Sequence, residues 1–286
     1  MRILLFGRNG QVARCVLEEA DSSSEVIALG RNEADLMRDG AAQEAIAAHQ
    51  PDVVINAAAY TAVDRAEEEK HAATHLNANA PGEMARAAKD VGAHFIHLST
   101  DYVFDGGGEN PYLETDATAP LNVYGRTKLA GEQAVLEANP QSIIIRTSWV
   151  FSEYGANFVK TMLRLGAERG SLSIVADQIG GPTPARGIAK TVLAIAAKKC
   201  RGAPGDGVYH YQGTPPVSWA TFAAKVFDYA GQSVIVNETS TAQYPTPAAR
   251  PLNSVLNCGR IERDFGLPMP DWRATLRQVV DALSKK

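Results

Sequence analysis

The chain has 286 residues, 45% of them hydrophobic, which is enough to bury a full core in one large domain or in a domain with a smaller partner. Its formal net charge of −4 gives no electrostatic reason to expect binding to nucleic acid or to an anionic membrane. The three cysteines are widely spaced, so they predict neither a disulfide framework nor a metal cluster. Because no apolar run is long enough to span a membrane, we expect a soluble, cytoplasmic protein.

The first predicted unit is a strand, a glycine-containing loop and a helix. The apolar run 2–6 is typical of a parallel strand that is buried on both faces. Residues 7–13 follow with the pattern Gly-x-x-Gly-x-x-Ala, and a helical pattern then continues to residue 20. Small residues there let the backbone approach a pyrophosphate, whose charge the helix N-terminus favours. We predict a dinucleotide site at Gly7 and Gly10, with a tight turn and close helix packing as the alternative.

The end of the second predicted strand, residues 25–30, is where the ribose of a cofactor would bind. In this architecture an acidic residue there would bind the 2′-hydroxyl group. Here the strand ends in Gly30 and Arg31, and a cation can accept a 2′-phosphate. We therefore predict NADPH as the cofactor, with NADH possible, and an ordinary solvated arginine as the alternative. Asp35 and Leu36 follow, where we expect a contact on the adenine side.

Strands and helices continue to alternate up to about residue 150. A helix over residues 40–50 leads to a buried strand at 51–56, which ends in a run of small residues that would leave room for a cofactor. A helix over 72–91 precedes a strand over 93–100, in which His94 and His97 are interpreted as strand residues rather than ligands. The alternation predicts a doubly wound parallel sheet.

The segment 98–128 contains the candidate catalytic residues. Tyr124 and Lys128 are four apart in a predicted helix, 123–137, so their side chains share one face. A neighbouring ammonium can lower the pKa of a phenol from its ordinary value near 10 towards a range useful for acid catalysis. Upstream, Ser99-Thr100-Asp101 offers hydroxyl groups at a strand end. Hydroxyl, phenol and ammonium together suit the reduction of a carbonyl, whereas a half-buried tyrosine with a snorkelling lysine is the structural alternative.

The pattern changes after Trp149. We predict helices over 157–169 and 186–199 and another that begins at Ser218, short strands near 173–176 and 207–211, and an irregular proline-rich segment at 244–251. We expect a Rossmann-type domain over residues 1–150 and, over 151–286, a smaller C-terminal substrate lobe that is interleaved with the first domain. Some segments of the second half are expected to return to the first domain.

Several motifs together resemble the extended short-chain dehydrogenase/reductase family over essentially the whole chain. The dinucleotide loop and the Tyr-x-x-x-Lys pair occur throughout that family, while the motifs of the second half are more specific. The residues that carry the resemblance are LLFGRNGQVA at 4–13, PDVVINAAAYTAVDRAE at 51–67, STDYVFDG at 99–106, PLNVYGRTKLAGE at 120–132, IIRTSWVF at 144–151, NFVKTMLRL at 157–165, DQIGGPT at 177–183 and YPTPAARPLNS at 244–254.

The resemblance implies a reductase that delivers hydride from NAD(P)H to the C4 ketone of a dTDP-sugar. Tyr124 would donate the proton, Lys128 would lower the pKa of the phenol and bind the nicotinamide ribose, and Thr100 beside Asp101 would contact the substrate. Trp149 would line the sugar pocket, where an aromatic face can pack on a ring. The cofactor contacts that the resemblance adds to Gly7, Gly10 and Arg31 are Gln11, Val12, Asp35, Leu36, Ala59, Tyr60, Thr61 and Leu98.

Some expectations for the second half remain open at this stage. Arg250 could meet the diphosphate, since a guanidinium suits phosphate oxygens, with a surface ion pair as the alternative. Some relatives dimerise around a magnesium ion held by glutamates, but Cys15 and Arg186 stand at the matching positions. We predict no bridging metal, and either a monomer or a homodimer. A non-catalytic NADP-binding regulatory subunit and an enzyme for another nucleotide sugar are the alternative functions.

Overall fold

A computed structural model describes residues 1–284 of the chain. Within these residues the central sheet has six strands, all parallel, in the order β2-β1-β3-β4-β5-β10. The strands of the described part are β1 (Arg2–Phe6), β2 (Glu25–Leu29), β3 (Val53–Asn56), β4 (His94–Thr100), β5 (Ile143–Thr147), β6 (Val150–Phe151), β7 (Ser171–Val175), β8 (Ile179–Gly180), β9 (Thr183–Pro184), β10 (Gly207–His210), β11 (Val217–Ser218) and β12 (Ile235–Thr239).

Helices cover both faces of the central sheet. The helices of the described part are α1 (Gln11–Glu19), α2 (Ala41–His49), α3 (Val63–Ala66), α4 (Lys70–Thr74), α5 (Ala80–Asp90), α6 (Val123–Ala138), α7 (Phe158–Glu168), α8 (Ala185–Cys200), α9 (Trp219–Ala230), α10 (Gly259–Phe265) and α11 (Trp272–Ser284). A π-helical segment, His75–Asn79, joins α4 to α5 without a break, so the single helix expected over 72–91 has three parts. No helix of the described residues is both long and apolar enough to cross a bilayer.

Strand β1 shows how the sequence produces the two layers of helices. Its side chains alternate, so Ile3 and Leu5 pack with α1 and α8 on one face, while Leu4 and Phe6 pack with α2, α5 and α6 on the other. A strand that is buried on both faces must be apolar throughout, which is why the run could be identified from the sequence. The predicted doubly wound Rossmann-type sheet is confirmed.

The order of the strands places a crevice between β1 and β3. The chain leaves β1 towards β2 on one side and later returns to β3 on the other, so the connections diverge at this point. Open α/β sheets bind ligands at such a switch point, outside the carboxyl ends of the strands. Gly7 follows β1 there and Ala57 follows β3, and both backbones are in close contact.

The second half of the chain builds a smaller lobe and also completes the sheet. Helices α7, α9 and α11 pack with β7 around a core that includes Phe222 and Trp272. In contrast, β10 pairs with β5 as the edge strand of the central sheet, and α8 packs against α1. Part of the second half therefore packs with the first domain, through β10 and α8. The division of the chain at residue 150 remains a prediction.

Candidate active site

A cavity of about 780 Å³ lies at the switch point, between the central sheet and the smaller lobe. Its size suits a cofactor or small-molecule site. The predicted site residues that line this cavity are Gly7, Gly10, Gln11, Val12, Arg31, Asp35, Leu36, Ala59, Thr61, Leu98, Thr100, Asp101, Tyr124, Lys128 and Trp149. The structure thus brings together side chains that are far apart in the sequence.

The glycine loop forms a cradle that fits a dinucleotide. Gly7 has φ +95°, and a Cβ atom there would lie 2.8 Å from the backbone of Ala57, so only glycine allows this approach. Gly10 caps α1 without any side-chain hydrogen bond, and the first turn carries no acidic residue. The first N–H groups of a helix have no partner within it, and here they face the cavity, where a pyrophosphate can accept from them.

Arg31 lies at the rim of the cavity near the end of β2. Its side chain is 76% exposed, and its Nε atom is 4.0 Å from Asp35, a distance that leaves the guanidinium free to meet a ligand. Arg8, which the sequence analysis did not single out, also lines the cavity and pairs with Glu33 at 2.8 Å. Two cations near the end of β2 suit the phosphate groups of NADPH.

Helix α6 positions Tyr124 and Lys128. Asn122 caps the helix by accepting from the backbone N–H of Gly125 at 2.7 Å. A Cβ atom at Gly125 would come within 2.2 Å of the carbonyl oxygen of Tyr102, so this glycine allows the helix to lie directly against the turn that follows β4. As a result Tyr124 lies in the cavity beside Thr100 and packs edge-to-face on Tyr102, with ring centroids 5.8 Å apart.

The phenol is less acidic than the sequence analysis expected. Burial raises the pKa of Tyr124 to about 12, the Thr100 hydroxyl lowers it, and the Asp101 carboxyl raises it. Lys128 is not among the groups that shift it. The expectation of a lowered pKa is therefore not met, because the low polarity of the site outweighs the nearby hydroxyl.

Thr100 and Asp101 form a buried pair at the end of β4. The Thr100 hydroxyl donates to Asp101 Oδ1 at 2.9 Å and accepts from the backbone N–H of Tyr102 at 3.2 Å. Asp101 Oδ2 is buried without a hydrogen bond of good geometry. Burial raises the pKa of Asp101 to about 7, although the hydroxyl groups of Ser254 and Thr100 act in the opposite direction.

Lys128 is almost fully buried, with 1% of its surface exposed. Its Nζ atom donates to the carbonyl oxygen of Leu98 at 2.7 Å and lies 3.2 Å from Nε2 of His97. Burial lowers the pKa of Lys128 to about 8, and the charge of Glu132 opposes this shift. The ammonium group therefore loses much of its usual preference over the neutral amine.

Trp149 has a strained backbone and a stacked side chain. Its φ is +46°, an uncommon value for a residue with a side chain, and one that occurs disproportionately at functional sites. Its indole ring is stacked on that of Trp219, the first residue of α9. Trp219 also lines the cavity, although it is 70 residues further along the chain, and no local motif indicated this contact.

Two predicted site residues do not line the cavity. The Tyr60 hydroxyl donates to Glu69 at 2.6 Å, so its side chain is directed away, while Asn77 holds the Tyr60 backbone in place. Arg250 forms two hydrogen bonds with the carboxylate of Asp64, at 2.8 and 3.0 Å. The structure thus gives Arg250 the ion pair that was the alternative interpretation, although only 21% of its side chain is exposed.

Gln11 connects the two parts of the molecule. Its Oε1 atom accepts from the Ser152 hydroxyl at 2.8 Å and from the Asn157 amide at 2.9 Å, and both of these residues belong to the second half of the chain. The predicted cofactor loop is therefore also tied by hydrogen bonds to the second half of the chain. Gln11 lines the cavity, and the sequence motif did not indicate this second contact.

The two residues at the position expected for a bridging metal are an ion-paired guanidinium and a buried thiol. The Arg186 guanidinium forms ion pairs with Glu18, Glu19 and Glu153. Burial, followed by the charge of Glu153, raises the pKa of the Cys15 thiol to about 12. Among residues 1–284 no three His, Cys, Asp or Glu side chains are arranged to hold a metal ion.

A parallel sheet with a glycine cradle at its switch point, facing a Tyr-x-x-x-Lys pair and a threonine, defines a Rossmann-type NAD(P)-dependent oxidoreductase of the extended short-chain dehydrogenase/reductase class. The chain belongs to the family described as RmlD substrate binding domain, whose model matches residues 1–285.

Known members of this family are similar to the chain over nearly its whole length. A dTDP-4-dehydrorhamnose reductase of Sinorhizobium fredii is 45% identical over 289 residues, which cover 99% of this chain and 98% of the relative. The crystal structure of a dTDP-4-dehydrorhamnose reductase from Clostridium acetobutylicum has a TM-score of 0.94 at 37% identity, covering 99% of this chain and 100% of the other. That from Bacillus anthracis, in complex with NADP, has a TM-score of 0.93 at 36% identity, covering 98% and 99%.

Proposed function

We propose that this protein reduces dTDP-4-dehydro-L-rhamnose to dTDP-L-rhamnose with NADPH as the hydride donor, the last step in the synthesis of that nucleotide sugar. The observation that carries the proposal is that Thr100, Tyr124 and Lys128 line the same cavity as the glycine cradle. The names of the relatives support the choice of substrate, and the NADP complex of one of them supports the cofactor.

The residues of the chain would divide the chemistry as follows. When bound, NADPH would supply the hydride for C4 of the keto-sugar, whose oxygen would then need a proton. Tyr124 donates that proton, because an alkoxide is a stronger base than a phenolate even when burial raises the pKa of Tyr124 to about 12. To donate to the same oxygen, the Thr100 hydroxyl would turn its single proton away from Asp101 Oδ1, to which it donates in this structure. Lys128 anchors the ribose next to the nicotinamide.

The alternative functions make different predictions. A regulatory subunit would bind NADP without turnover, and it would have no need for all three of these residues at the cavity. An enzyme for another nucleotide sugar would keep the same three residues but differ at the sugar contacts, so its turnover would be higher with a different keto-sugar. Comparing turnover across several nucleotide-linked keto-sugars separates these functions.

The direct test is oxidation of NADPH by the purified protein with dTDP-4-dehydro-L-rhamnose. Tyr124→Phe is expected to lower kcat by at least about 10²-fold while NADPH still binds, because the proton donor alone is lost. Tyr209→Phe is the matched control, since it removes a tyrosine hydroxyl that donates to Asp264, away from the cavity. A folded wild-type protein that binds NADPH but does not reduce the keto-sugar would reject the proposal.

We also propose a cytoplasmic location. Cys15, Cys200 and Cys258 are all free thiols, and unpaired cysteines suit a reducing compartment. NADPH and nucleotide-linked sugars would be the ligands available there.

A further inference from the structure

Three buried side chains form a row behind the cavity: Asn56 at the end of β3, His97 in β4 and Lys128 in α6. The Asn56 amide nitrogen is 3.1 Å from Nδ1 of His97, and the Nε2 atom of His97 is 3.2 Å from Nζ of Lys128. Asn56 and His97 are buried to 1% exposure or less. His97 lies in strand β4, as predicted, and no step of the proposed mechanism uses it.

The orientation of the Asn56 amide is fixed by the backbone. The N–H group of Ala58 donates to Asn56 Oδ1 at 3.0 Å, and only the oxygen of the amide can accept this bond. Turning the amide over would place two donors against each other in a buried site, which is costly. The NH₂ group of Asn56 therefore points at His97 and must donate to Nδ1.

This bond fixes the tautomer of His97. Burial, with the nearby Lys128, holds the pKa of His97 well below its usual range, so the ring is neutral and carries one proton. Because Nδ1 accepts from Asn56, that proton is on Nε2. The Nε2–H group then points at the Lys128 nitrogen. An ammonium group has three donors and no acceptor, so it cannot accept this bond, whereas a neutral amine can.

We propose that His97 is a positioning residue for Lys128: held as the Nε2–H tautomer by Asn56, it donates to Nζ, fixes the nitrogen against the Leu98 carbonyl and favours the uncharged amine before the ligands bind. The neutral amine has two N–H groups, of which one donates to Leu98 at 2.7 Å and the other is left for a ligand. The lysine would thus take up or release a proton within the working pH range of the enzyme. This consequence for catalysis rests on the proposed function.

The other charged groups around Lys128 are accounted for. Glu132, four residues further along α6, would favour the ammonium, but its carboxylate is bound by Arg146 of β5 at 2.7 and 2.9 Å and by the Ser99 hydroxyl. Tyr124 and Asp101 face the cavity from α6 and from the turn after β4, and burial raises the pKa of both, which disfavours their charged forms. His97 is the group in direct contact with Nζ whose bond depends on the charge of Lys128.

The first experiment measures protonation directly in the full-length wild-type protein. Nitrogen NMR of ¹⁵N-histidine-labelled protein distinguishes a ring nitrogen that carries a proton from one that does not, and His97→Leu identifies the signals. We expect Nε2 protonated and Nδ1 unprotonated. In ¹⁵N-lysine-labelled protein, with Lys128→Met for assignment, we expect the Nζ signal of Lys128 to titrate at clearly lower pH than the other lysines.

The second experiment reverses the tautomer. In Asn56→Asp the carboxylate can accept from both Ala58 and Nδ1–H, so Nε2 becomes an acceptor and favours the ammonium of Lys128. The basic limb of the pH profile of kcat/KM with NADPH and the keto-sugar is expected to move up by about one unit. The control is Asn56→Asp in the His97→Leu background, where the new charge remains but no tautomer exists. There we expect less than half of the shift.

Three results would overturn the inference: a proton on Nδ1 of wild-type His97, titration of Lys128 together with the other lysines, or an Asn56→Asp shift that is undiminished in the His97→Leu background. Both NMR measurements use the protein without cofactor or substrate. If the wild-type protein fails to reduce the keto-sugar, the proposed function is rejected, while the NMR results still decide the state of His97 and Lys128.

Discussion

The indole ring of Trp219 lies flat on that of Trp149, with ring centroids 3.4 Å apart and planes within 6° of parallel. Next to this pair, Gly180 leaves no room for a side chain, since a Cβ atom there would come within 2.6 Å of the Trp149 ring. The Trp149 ring is therefore packed closely against Gly180, and Trp219 covers one of its faces. The contact of Trp149 with a sugar ring is a prediction from the sequence, and we expect it to depend on this second indole.

Trp219→Leu should weaken substrate binding more than chemistry. Without the stacked partner, the strained Trp149 backbone can relax, and the loss of one aromatic pair is worth about 0.5–1.5 kcal/mol. We expect KM for the keto-sugar to rise up to about tenfold with a smaller change in kcat. Tyr229→Leu is the control, because it removes an aromatic ring from the same helix outside the cavity, where Tyr229 faces Lys225 and Arg277. Equal effects of the two variants would contradict this role of Trp219.

Gly7→Ala should abolish cofactor binding and destabilise the fold. The new methyl group would overlap the Ala57 backbone at 2.8 Å, and the residue would also be strained at φ +95°. We expect a loss of more than about 2 kcal/mol in the free energy of unfolding, measured by urea denaturation. Gly92→Ala separates the two causes, since Gly92 has φ +74° but nothing within 4 Å of its Cβ position. A similar loss in both variants would show that backbone strain, not the close approach, matters at Gly7.

Arg31→Ala should change the choice of cofactor. The exposed guanidinium at the rim is the expected partner of the 2′-phosphate, and losing one such contact costs about 1.4 kcal/mol, or tenfold. We expect KM for NADPH to rise about tenfold and KM for NADH to stay nearly constant. Arg38→Ala is the control, because Arg38 is bound to Glu44 and does not line the cavity. If the KM values for NADPH and NADH rise by the same factor, Arg31 does not bind the 2′-phosphate.

Asp101→Asn should change how stability depends on pH. Burial raises the pKa of Asp101 to about 7, above the value of 3.8 expected in the unfolded chain. Between pH 4 and pH 7 the folded state therefore holds a proton that the unfolded state releases, and stability falls as the pH rises. The full effect is on the order of 4 kcal/mol above pH 7, at 1.36 kcal/mol per unit.

The Asp101→Asn variant lacks this loss of stability at rising pH. The difference in the free energy of unfolding, variant minus wild type, should therefore increase from pH 4 to pH 7. Denaturant titrations at several pH values measure it. Asp177→Asn should show no such increase between pH 4 and pH 7. Burial acts to raise the pKa of Asp177, but the hydroxyl and backbone N–H of Thr241 hold it below its usual value, so its contribution to stability is lost only as the pH falls below about 4. A flat difference between Asp101→Asn and wild type would contradict the raised pKa.

Arg250→Ala and Asp64→Asn should have similar effects on stability. The partly buried pair is bidentate, and Asp64 also accepts from the backbone N–H of Ala248, so it ties the proline-rich segment to α3. We expect either variant to lower the free energy of unfolding by about 1–3 kcal/mol without changing KM for the keto-sugar. A rise in KM for Arg250→Ala alone would restore the predicted contact with the diphosphate.

Local patterns were sufficient to predict the fold of the first half. The apolar run of β1, the small residues after it and the helical spacing of Tyr124 and Lys128 all depend on neighbours in the sequence, so they could be read without a structure. The same holds for Ser218, whose hydroxyl accepts from the Thr221 backbone as a helix cap.

Features that depend on distant partners could not be predicted in this way. Arg250 is 186 residues from Asp64, and no local signal relates the two. The raised pKa of Tyr124 depends on how completely the folded chain encloses the phenol, which its sequence spacing from Lys128 does not determine. His97 looked like an ordinary strand residue, because its role follows from Asn56 in one neighbouring element and Lys128 in another.

The position of β10 has a consequence for synthesis on the ribosome. Strand β5 is complete at Thr147, but its outer edge stays unpaired until Gly207–His210 has been made and can dock. During that interval the nascent chain exposes a strand edge that is prone to associate with other chains, and a protein truncated near residue 150 would keep this edge permanently. The central sheet is therefore complete only when residues from both halves of the sequence are present.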